Sequence, residues 1–230
     1  VILSIYYLNL HYHIEAKEAV EPVIDLAINL NYQKRLTSIY TAVGLYYCWV
    51  EEDFVKGAQY LKDVFEIAAK IGDFLSLWFA NYQLGISIVS NHQFDESMSY
   101  LKATLDLSLL SKNLTGIAHA KSALALNYNM QGKTNLALQM STEALQSATE
   151  SGDIFALQPA YTIQGMSYYY KGVFHEAETY LLAGLAYYEK ATIGTWGSLT
   201  SSYLGFTYGD MEEYEKAEEY HKKCILININ

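Results

Sequence analysis

The residues best suited to chemistry are a pair of neighbouring histidines and two cysteines. His11 and His13 are separated by one residue, so they could share a metal ion only on a loop. The nearest further ligand for such an ion is Glu15. Cys48 and Cys224 each fall on an apolar helical stripe, which favours packed thiols over a disulfide bond. We therefore expect no metal site and no cofactor.

Two other candidates for chemistry are equally weak. His119 stands alone and is predicted to be a polar contact, not a catalyst. The segment 194–197 reads Gly-Thr-Trp-Gly, but it lacks the lysine and the preceding strand of a phosphate-binding loop. The sequence contains no recognisable motif that pairs a nucleophile with a general base. We predict that the chain is not an enzyme.

Charge and composition exclude several classes of partner. The 230 residues carry a formal net charge of −10, and the longest basic runs are two residues long. Nucleic acids and anionic membrane surfaces bind clustered Lys and Arg, so we predict neither as a partner. Only two cysteines and no signal-peptide pattern indicate a reducing compartment and a cytoplasmic location. Neither end has the form of a natural terminus, so we expect a piece of a longer protein.

A repeat of about 40 residues positions these side chains. One column of small residues recurs at intervals of 40 or 41, at Gly44, Gly85, Ala125, Gly165 and Gly205. A second column recurs at intervals of 40, at Gly57, Ser97, Ala137, Ala177 and Ala217. Large apolar residues lie three or four positions from each column, which is the contact stripe of a helix. The small residues would let two helix backbones approach closely.

Each repeat therefore predicts two antiparallel helices. Gly-Asp pairs at 72–73 and 152–153 suit the end of one helix and the cap of the next. The predicted fold is all-α, an α-α superhelix in which about six antiparallel hairpins stack as a solenoid. We predict one array over 1–230, with units at roughly 1–32, 33–72, 73–112, 113–152, 153–192 and 193–230.

The repeat resembles the tetratricopeptide repeat (TPR) family. The resemblance rests on Leu-Gly-Phe-Thr-Tyr at 204–208 and on Gly-Val-Phe-His-Glu-Ala at 172–177. The family period is about 34 residues, and the family's terminal proline is missing here. Arrays of the HEAT type share the 40-residue period and are the alternative. The 40-residue repeat of this chain resembles the TPR variants of bacterial regulators, cyclases and ATPases. The resemblance implies a sensory or docking array.

The resemblance implies that the first helix of each pair lines a concave groove. It would place these side chains in that groove: Leu45, Trp49, Phe79, Tyr82, Ile86, His119, Leu126, Met130, Met166, Tyr169, Tyr170 and Phe206. The groove positions include no Lys or Arg, so the family's clamp for a peptide carboxylate is absent. We expect the groove to bind an apolar or amphipathic peptide or helix of a protein partner.

Three alternatives stay open at this point. The same residues could pack internally between neighbouring hairpins instead of meeting a partner. The chain could self-associate into a homodimer and pass a signal to an attached module. It could also be a sensor domain whose groove binds an apolar small molecule.

Overall fold

The computed structural model describes residues 1–9, 12–90, 92–191 and 196–229. Within these ranges the chain consists of α-helices, one short 3-10 turn at Glu21–Val23 and connecting turns, without a strand. The predicted fold class, an all-α array of antiparallel helix hairpins, is confirmed. No helix in the same ranges is both long enough and apolar enough to cross a bilayer.

The chain divides into two compact units, Val1–Leu107 and Ser108–Asn230, and the division falls within one helix. The first unit holds α1 (Ile2–Asn9), α2 (His13–Glu18), α3 (Ile24–Asn29), α4 (Gln33–Trp49), α5 (Phe54–Ile71), α6 (Phe74–Ser90) and most of α7 (Phe94–Leu110). The second unit adds α8 (Leu114–Met130), α9 (Thr134–Ser151), α10 (Ile154–Tyr170), α11 (Phe174–Ala191), α12 (Trp196–Asp210) and α13 (Tyr214–Ile229). The grouping of all hairpins into one array stays a prediction.

The helices from α4 onward pair as hairpins. We call the first helix of each pair the A helix (α4, α6, α8, α10, α12) and the second the B helix (α5, α7, α9, α11, α13). The B helices begin 40 residues apart, at Phe54, Phe94, Thr134, Phe174 and Tyr214. Within each unit, B helices also pack on the A helix of the following hairpin, as α5 does on α6, α9 does on α10 and α11 does on α12. This stacking buries apolar faces that a single hairpin would leave in water.

The predicted helix ends are confirmed between hairpins. Gly72 and Gly152 adopt left-handed backbone angles, with φ of 70° and 67°, directly after α5 and α9. Asp73 then accepts a hydrogen bond from the amide of Ser76 at 3.2 Å, at the start of α6. Asp153 likewise accepts one from the amide of Phe155 at 2.9 Å, at the start of α10. Each carboxylate satisfies an amide that the helix itself leaves without a partner.

The small-residue columns do bring helices together. A Cβ built on Gly165 of α10 would lie 2.6 Å from Cγ of Leu181 on α11 and 3.0 Å from its backbone nitrogen. A Cβ on Gly44 of α4 would lie 3.2 Å from the carbonyl oxygen of Gly57 on α5. A Cβ at position 165 would collide with Leu181, and a Cβ at position 44 would fit only if its neighbours moved by a few tenths of an ångström. The glycines therefore set the spacing within the hairpins, as the sequence predicts.

The amino-terminal segment departs from the regular hairpin. Residues 13–29 form two six-residue helices and the 3-10 turn between them instead of one long helix. Pro22 lies at the start of this turn and has no N–H to donate, which prevents a continuous helix there. Ala16 and Val20 are nevertheless fully buried against Ile39 of α4. The irregular segment 13–29 therefore packs on α4 in the place where a complete hairpin would otherwise lie.

Candidate partner-binding surface

The predicted groove residues of the first unit differ in exposure. Leu45 and Tyr82 are buried, Phe79 and Ile86 are half-buried, and Trp49 is exposed. Tyr82 stacks on Trp78 of the same helix, with ring centroids 5.3 Å apart and planes at 10°. Burial raises the pKa of the Tyr82 hydroxyl. Leu45 and Tyr82 therefore contribute to packing inside this unit.

Trp49 ends α4 and meets the first residue of α5. Its ring lies edge-to-face on Phe54, with centroids 6.3 Å apart. The equivalent residue five positions before the B helix of a later hairpin is Tyr169, which contacts Phe174 at 5.9 Å. An aromatic pair therefore closes the turn in both hairpins, and it places Trp49 and Tyr169 at the carboxyl ends of their A helices.

The predicted residues of the second unit also separate into two groups. Met166 is buried in the core beside Ile163 and Leu181, while His119 and Leu126 are half-buried. Phe206, Met130 and Tyr170 expose 46%, 39% and 36% of their surface. Tyr169 is half-buried beside them. We define the aromatic surface as the residues that meet at the carboxyl ends of α8, α10 and α12: Met130, Tyr169, Tyr170, Tyr203, Phe206 and Asp210.

Hydroxyl contacts join the three A helices of this surface. The hydroxyl oxygens of Tyr170 on α10 and Tyr203 on α12 lie 2.6 Å apart in a hydrogen bond that either can donate. The Tyr170 hydroxyl also lies 3.8 Å from Sδ of Met130 on α8, which it can use as a weak acceptor. These contacts hold the side chains of Met130, Tyr170 and Tyr203 in fixed positions relative to one another.

The rings of the surface pack on one another. Tyr203 meets Tyr169 edge-to-face at 5.5 Å and Phe206 edge-to-face at 5.7 Å. Tyr169 and Phe206 are tilted by 34° with centroids 6.4 Å apart. Edge-to-face pairs of this kind are favourable beyond their buried area. His221 of α13 lies behind Phe206 at 5.1 Å, so the exposed Phe206 ring has rigid support.

One carboxylate borders the rings. Asp210 is exposed and lies beside the hydroxyl of Tyr169. Burial, followed by hydrogen bonding to Asp210, raises the pKa of Tyr169 to about 12. Burial, followed by the bond with Tyr170, raises the pKa of Tyr203 as well. Tyr169 and Tyr203 are therefore neutral hydrogen-bonding groups at physiological pH, and Asp210 is their neighbouring charge.

Tyr203 was not among the predicted groove residues, although it is central to the surface. It lies two positions before Gly205, where the other repeats have Ala42, Gln83, Ala123 and Ile163. A tyrosine in this column of mostly small or aliphatic residues was the available signal.

The other chemical candidates lie in unreactive environments. Burial raises the pKa of the Cys48 thiol, the opposite of what activates a thiolate, and both cysteines are free. Burial lowers the pKa of His119 to about 4, so its ring is neutral at pH 7. Among the described residues, no group of three or more His, Cys, Asp or Glu side chains could hold a metal ion. His11, residues 194 and 195, and the pairing of His11 with His13 lie outside the described residues.

No protein-family model and no curated protein matches the chain. Solved structures do match it. A Rap protein complexed with competence and sporulation factor is 20% identical with a TM-score of 0.72, over 83% of this chain and 53% of that one. NprR in complex with its cognate peptide NprX is also 20% identical with a TM-score of 0.71, over 96% and 66% of the two chains.

A kinesin light chain with nearly identical TPR-like repeats from Podosopora anserina is 16% identical, with a TM-score of 0.58, over 85% of this chain and 96% of that one. At these identities the likeness establishes the fold alone, which is a TPR-like helical repeat. The chain spans about half of the Rap protein and about two thirds of NprR.

Proposed function

We propose that this chain is a non-catalytic interaction module that binds an apolar or amphipathic peptide segment of a protein on the aromatic surface of its second unit. The observation that carries the proposal is the cluster of exposed Met130, Tyr170 and Phe206 around the buried hydroxyl of Tyr203. Exposed aromatic and methionine side chains in contact with one another are characteristic anchors of protein interfaces.

The rigidity of the surface supports the same proposal. Ordering a flexible side chain on binding costs about 0.5–1.5 kcal/mol, and this cost is smaller where the side chain is already fixed. Tyr170 is fixed by its bond to Tyr203, and Phe206 is fixed by His221 and Tyr169. The surface residues include no Lys or Arg, so the partner is held through side chains and not through a terminal carboxylate.

The solved structures support a peptide as the partner. The Rap protein was solved with competence and sporulation factor, and NprR was solved with its cognate peptide NprX. Both are longer than this chain, which is consistent with a regulatory or sensory part of a larger signalling protein. We also propose that the chain is related to the 40-residue TPR variants of bacterial regulators, cyclases and ATPases.

The test is a selection of peptides from a random 12-residue library, followed by affinity measurement on two variants. Phe206→Ser removes the most exposed ring of the surface. Tyr214→Ser removes an even more exposed ring at the start of α13, outside the surface, and is the matched control. We expect apolar and aromatic residues to be enriched among the selected peptides, and Phe206→Ser to weaken them at least about tenfold.

The control must retain full affinity, and both variants must keep their helical circular dichroism. Peptides that bind Phe206→Ser and the original chain equally well would remove the aromatic surface as the binding site. A selection that returns no peptide above background would count against the function itself.

A further inference from the structure

We infer that the partner segment carries a cationic side chain, Lys or Arg, next to its apolar anchor, and that Asp210 and Glu212 receive this cation. The inference rests on the proposed function and specifies the chemistry of its partner. The inference compares the charged side chains near the aromatic surface that already form ion pairs with those that do not.

Asp210 lies within reach of whatever binds Phe206. The two residues are four positions apart on α12, so their side chains are neighbours on one face of the helix. Both are exposed. An ionised carboxylate has about four lone-pair positions, and the Tyr169 hydroxyl beside Asp210 can occupy only one of them. Acceptor capacity therefore remains beside the exposed ring.

The charges around Asp210 are one-sided. Residues 210–219 contain six acidic side chains and one basic one, Lys216. Lys216 is held by Glu213 at 2.5 Å, and Lys222 of the same helix is held by Glu218 at 2.5 Å. Among the described residues, neither Asp210 nor Glu212 forms an ion pair. These two bases of α13 are therefore already paired.

Glu212 is exposed in the turn between α12 and α13, two residues after Asp210. Asp210 and Glu212 therefore present two carboxylates at the carboxyl end of the helix that carries Phe206. A Lys or Arg of the partner can lay its apolar stem along the ring and bring its charge to these carboxylates. The ring face itself also attracts a cation.

The whole chain favours the same sign of partner. Its formal net charge of −10 repels acidic peptides and speeds the approach of basic ones. It likewise opposes a second copy of this chain as the occupant of the surface. A neutral apolar peptide would leave Asp210 and Glu212 partly desolvated without compensation, which lowers its affinity relative to a cationic one.

The experiment compares two fluorescein-labelled amphipathic peptides that differ at one kind of residue. Both present the same Leu and Phe anchors, and one carries Lys at positions where the other carries Gln. By fluorescence anisotropy at low ionic strength, we expect the Lys peptide to bind about fivefold to tenfold more tightly, as two exposed ion pairs can supply. Raising the salt to about 1 M, where the screening length is about 3 Å, should remove the preference.

Two double variants with the same change in net charge locate the effect. Asp210→Asn with Glu212→Gln should reduce the preference for the Lys peptide to less than about twofold. Glu218→Gln with Glu219→Gln, farther along α13, should leave it intact.

The outcomes separate this inference from the proposed function. If both peptides bind equally well and both are weakened by Phe206→Ser, the binding surface stands and the cationic partner is wrong. If the two double variants lower the preference equally, it comes from net charge alone, and the assignment to Asp210 and Glu212 is overturned. If Phe206→Ser weakens neither peptide, the proposed function itself fails.

Discussion

At the residue scale, the glycines of the A helices are fixed by the helix that faces them. Gly165→Ala would place a Cβ 2.6 Å from Cγ of Leu181 and 3.0 Å from its backbone nitrogen. The side chain can move, but the backbone atom moves only if the hairpin opens. We expect the free energy of unfolding to fall by about 1–3 kcal/mol, as in other overpacked cores, measured by urea denaturation.

Gly209→Ala is the matched control for this change. Gly209 also lies on an A helix of the second unit, and a Cβ there would meet nothing within 4 Å. Alanine should be neutral or should stabilise the helix by up to about 1 kcal/mol. Equal effects of the two substitutions would show that helix propensity, and not contact with Leu181, requires glycine at position 165.

A second prediction at this scale concerns acid. Burial lowers the pKa of His119 to about 4, an effect that the nearby Asp153 only partly offsets. Between pH 6.5 and about 4 the unfolded chain binds a proton at His119 that the folded chain does not. Its contribution to stability is therefore complete above pH 6.5 and is lost as the pH falls toward 4.

The size of this effect can be read from variants. On going from pH 7 to pH 5, His119→Gln should lose roughly 1–2 kcal/mol less stability than the original chain. His175→Gln is the control, because the His175 side chain is 86% exposed. Urea denaturation at the two pH values measures the difference. Parallel losses in all three proteins would place the titrating group elsewhere.

At the element scale, hydroxyl pairs join consecutive A helices. Thr162 on α10 and Thr200 on α12 are both fully buried, and their hydroxyl oxygens lie 2.7 Å apart. A similar bond runs from Asn129 on α8 to Ser167 on α10, at 3.0 Å. The threonine hydroxyls also contact the carbonyls of Gln158 and Trp196 on their own helices. The bond between the helices therefore adds to these local bonds and favours one alignment of α10 with α12.

A double-mutant cycle tests the threonine pair. Thr162→Val and Thr200→Val each keep the side-chain shape and remove one hydroxyl. Each single variant should lose about 0.5–1.5 kcal/mol of unfolding free energy. The double variant should lose less than the sum, because the bond between the two hydroxyls is lost in each single variant but only once in the double variant. Strict additivity would mean that the two hydroxyls do not interact.

The sequence predicted the helix elements well because local rules decide them. Gly72 and Gly152 end helices, Asp73 and Asp153 begin the next ones, and small columns mark close approaches. These effects act over a few residues and leave a pattern in each repeat. The amino-terminal segment followed the pattern less well, since Pro22 interrupts it with a 3-10 turn.

Exposure could not be predicted in the same way. Leu45, Met166 and Phe206 occupy the same column, one residue after the glycine, yet the first two are buried and the third is exposed. The repeat fixes where a side chain starts, but its neighbours on the adjacent helices decide what covers it. Phe206 rests on His221, where other repeats place leucines such as Leu61 and Leu181. Such an exchange is visible only once the packing is known.

At the scale of the whole molecule, two opposing terms govern self-association. In the first unit, α1 exposes Ile2 and Ile5, while Leu26 and Leu30 are exposed on and just after α3. Burying such residues between two copies releases roughly 25 cal/mol per Å² of apolar area. The net charge of −10 on each copy acts against this gain. Salt screens the repulsion and leaves the apolar term, so it should promote a homodimer.

Sedimentation velocity across concentration and salt tests this balance. We expect the dimer fraction to rise with both, and Leu26→Gln with Leu30→Gln to weaken dimerisation by about tenfold or more, because each leucine loses most of its transfer free energy. Val55→Gln is the control, since Val55 is an even more exposed apolar residue but lies on α5. A chain that stays monomeric at the highest concentration and salt would exclude the homodimer. Association that weakens with salt would instead indicate ion pairs. The dimer contact would then be formed by charged residues and not by these apolar ones.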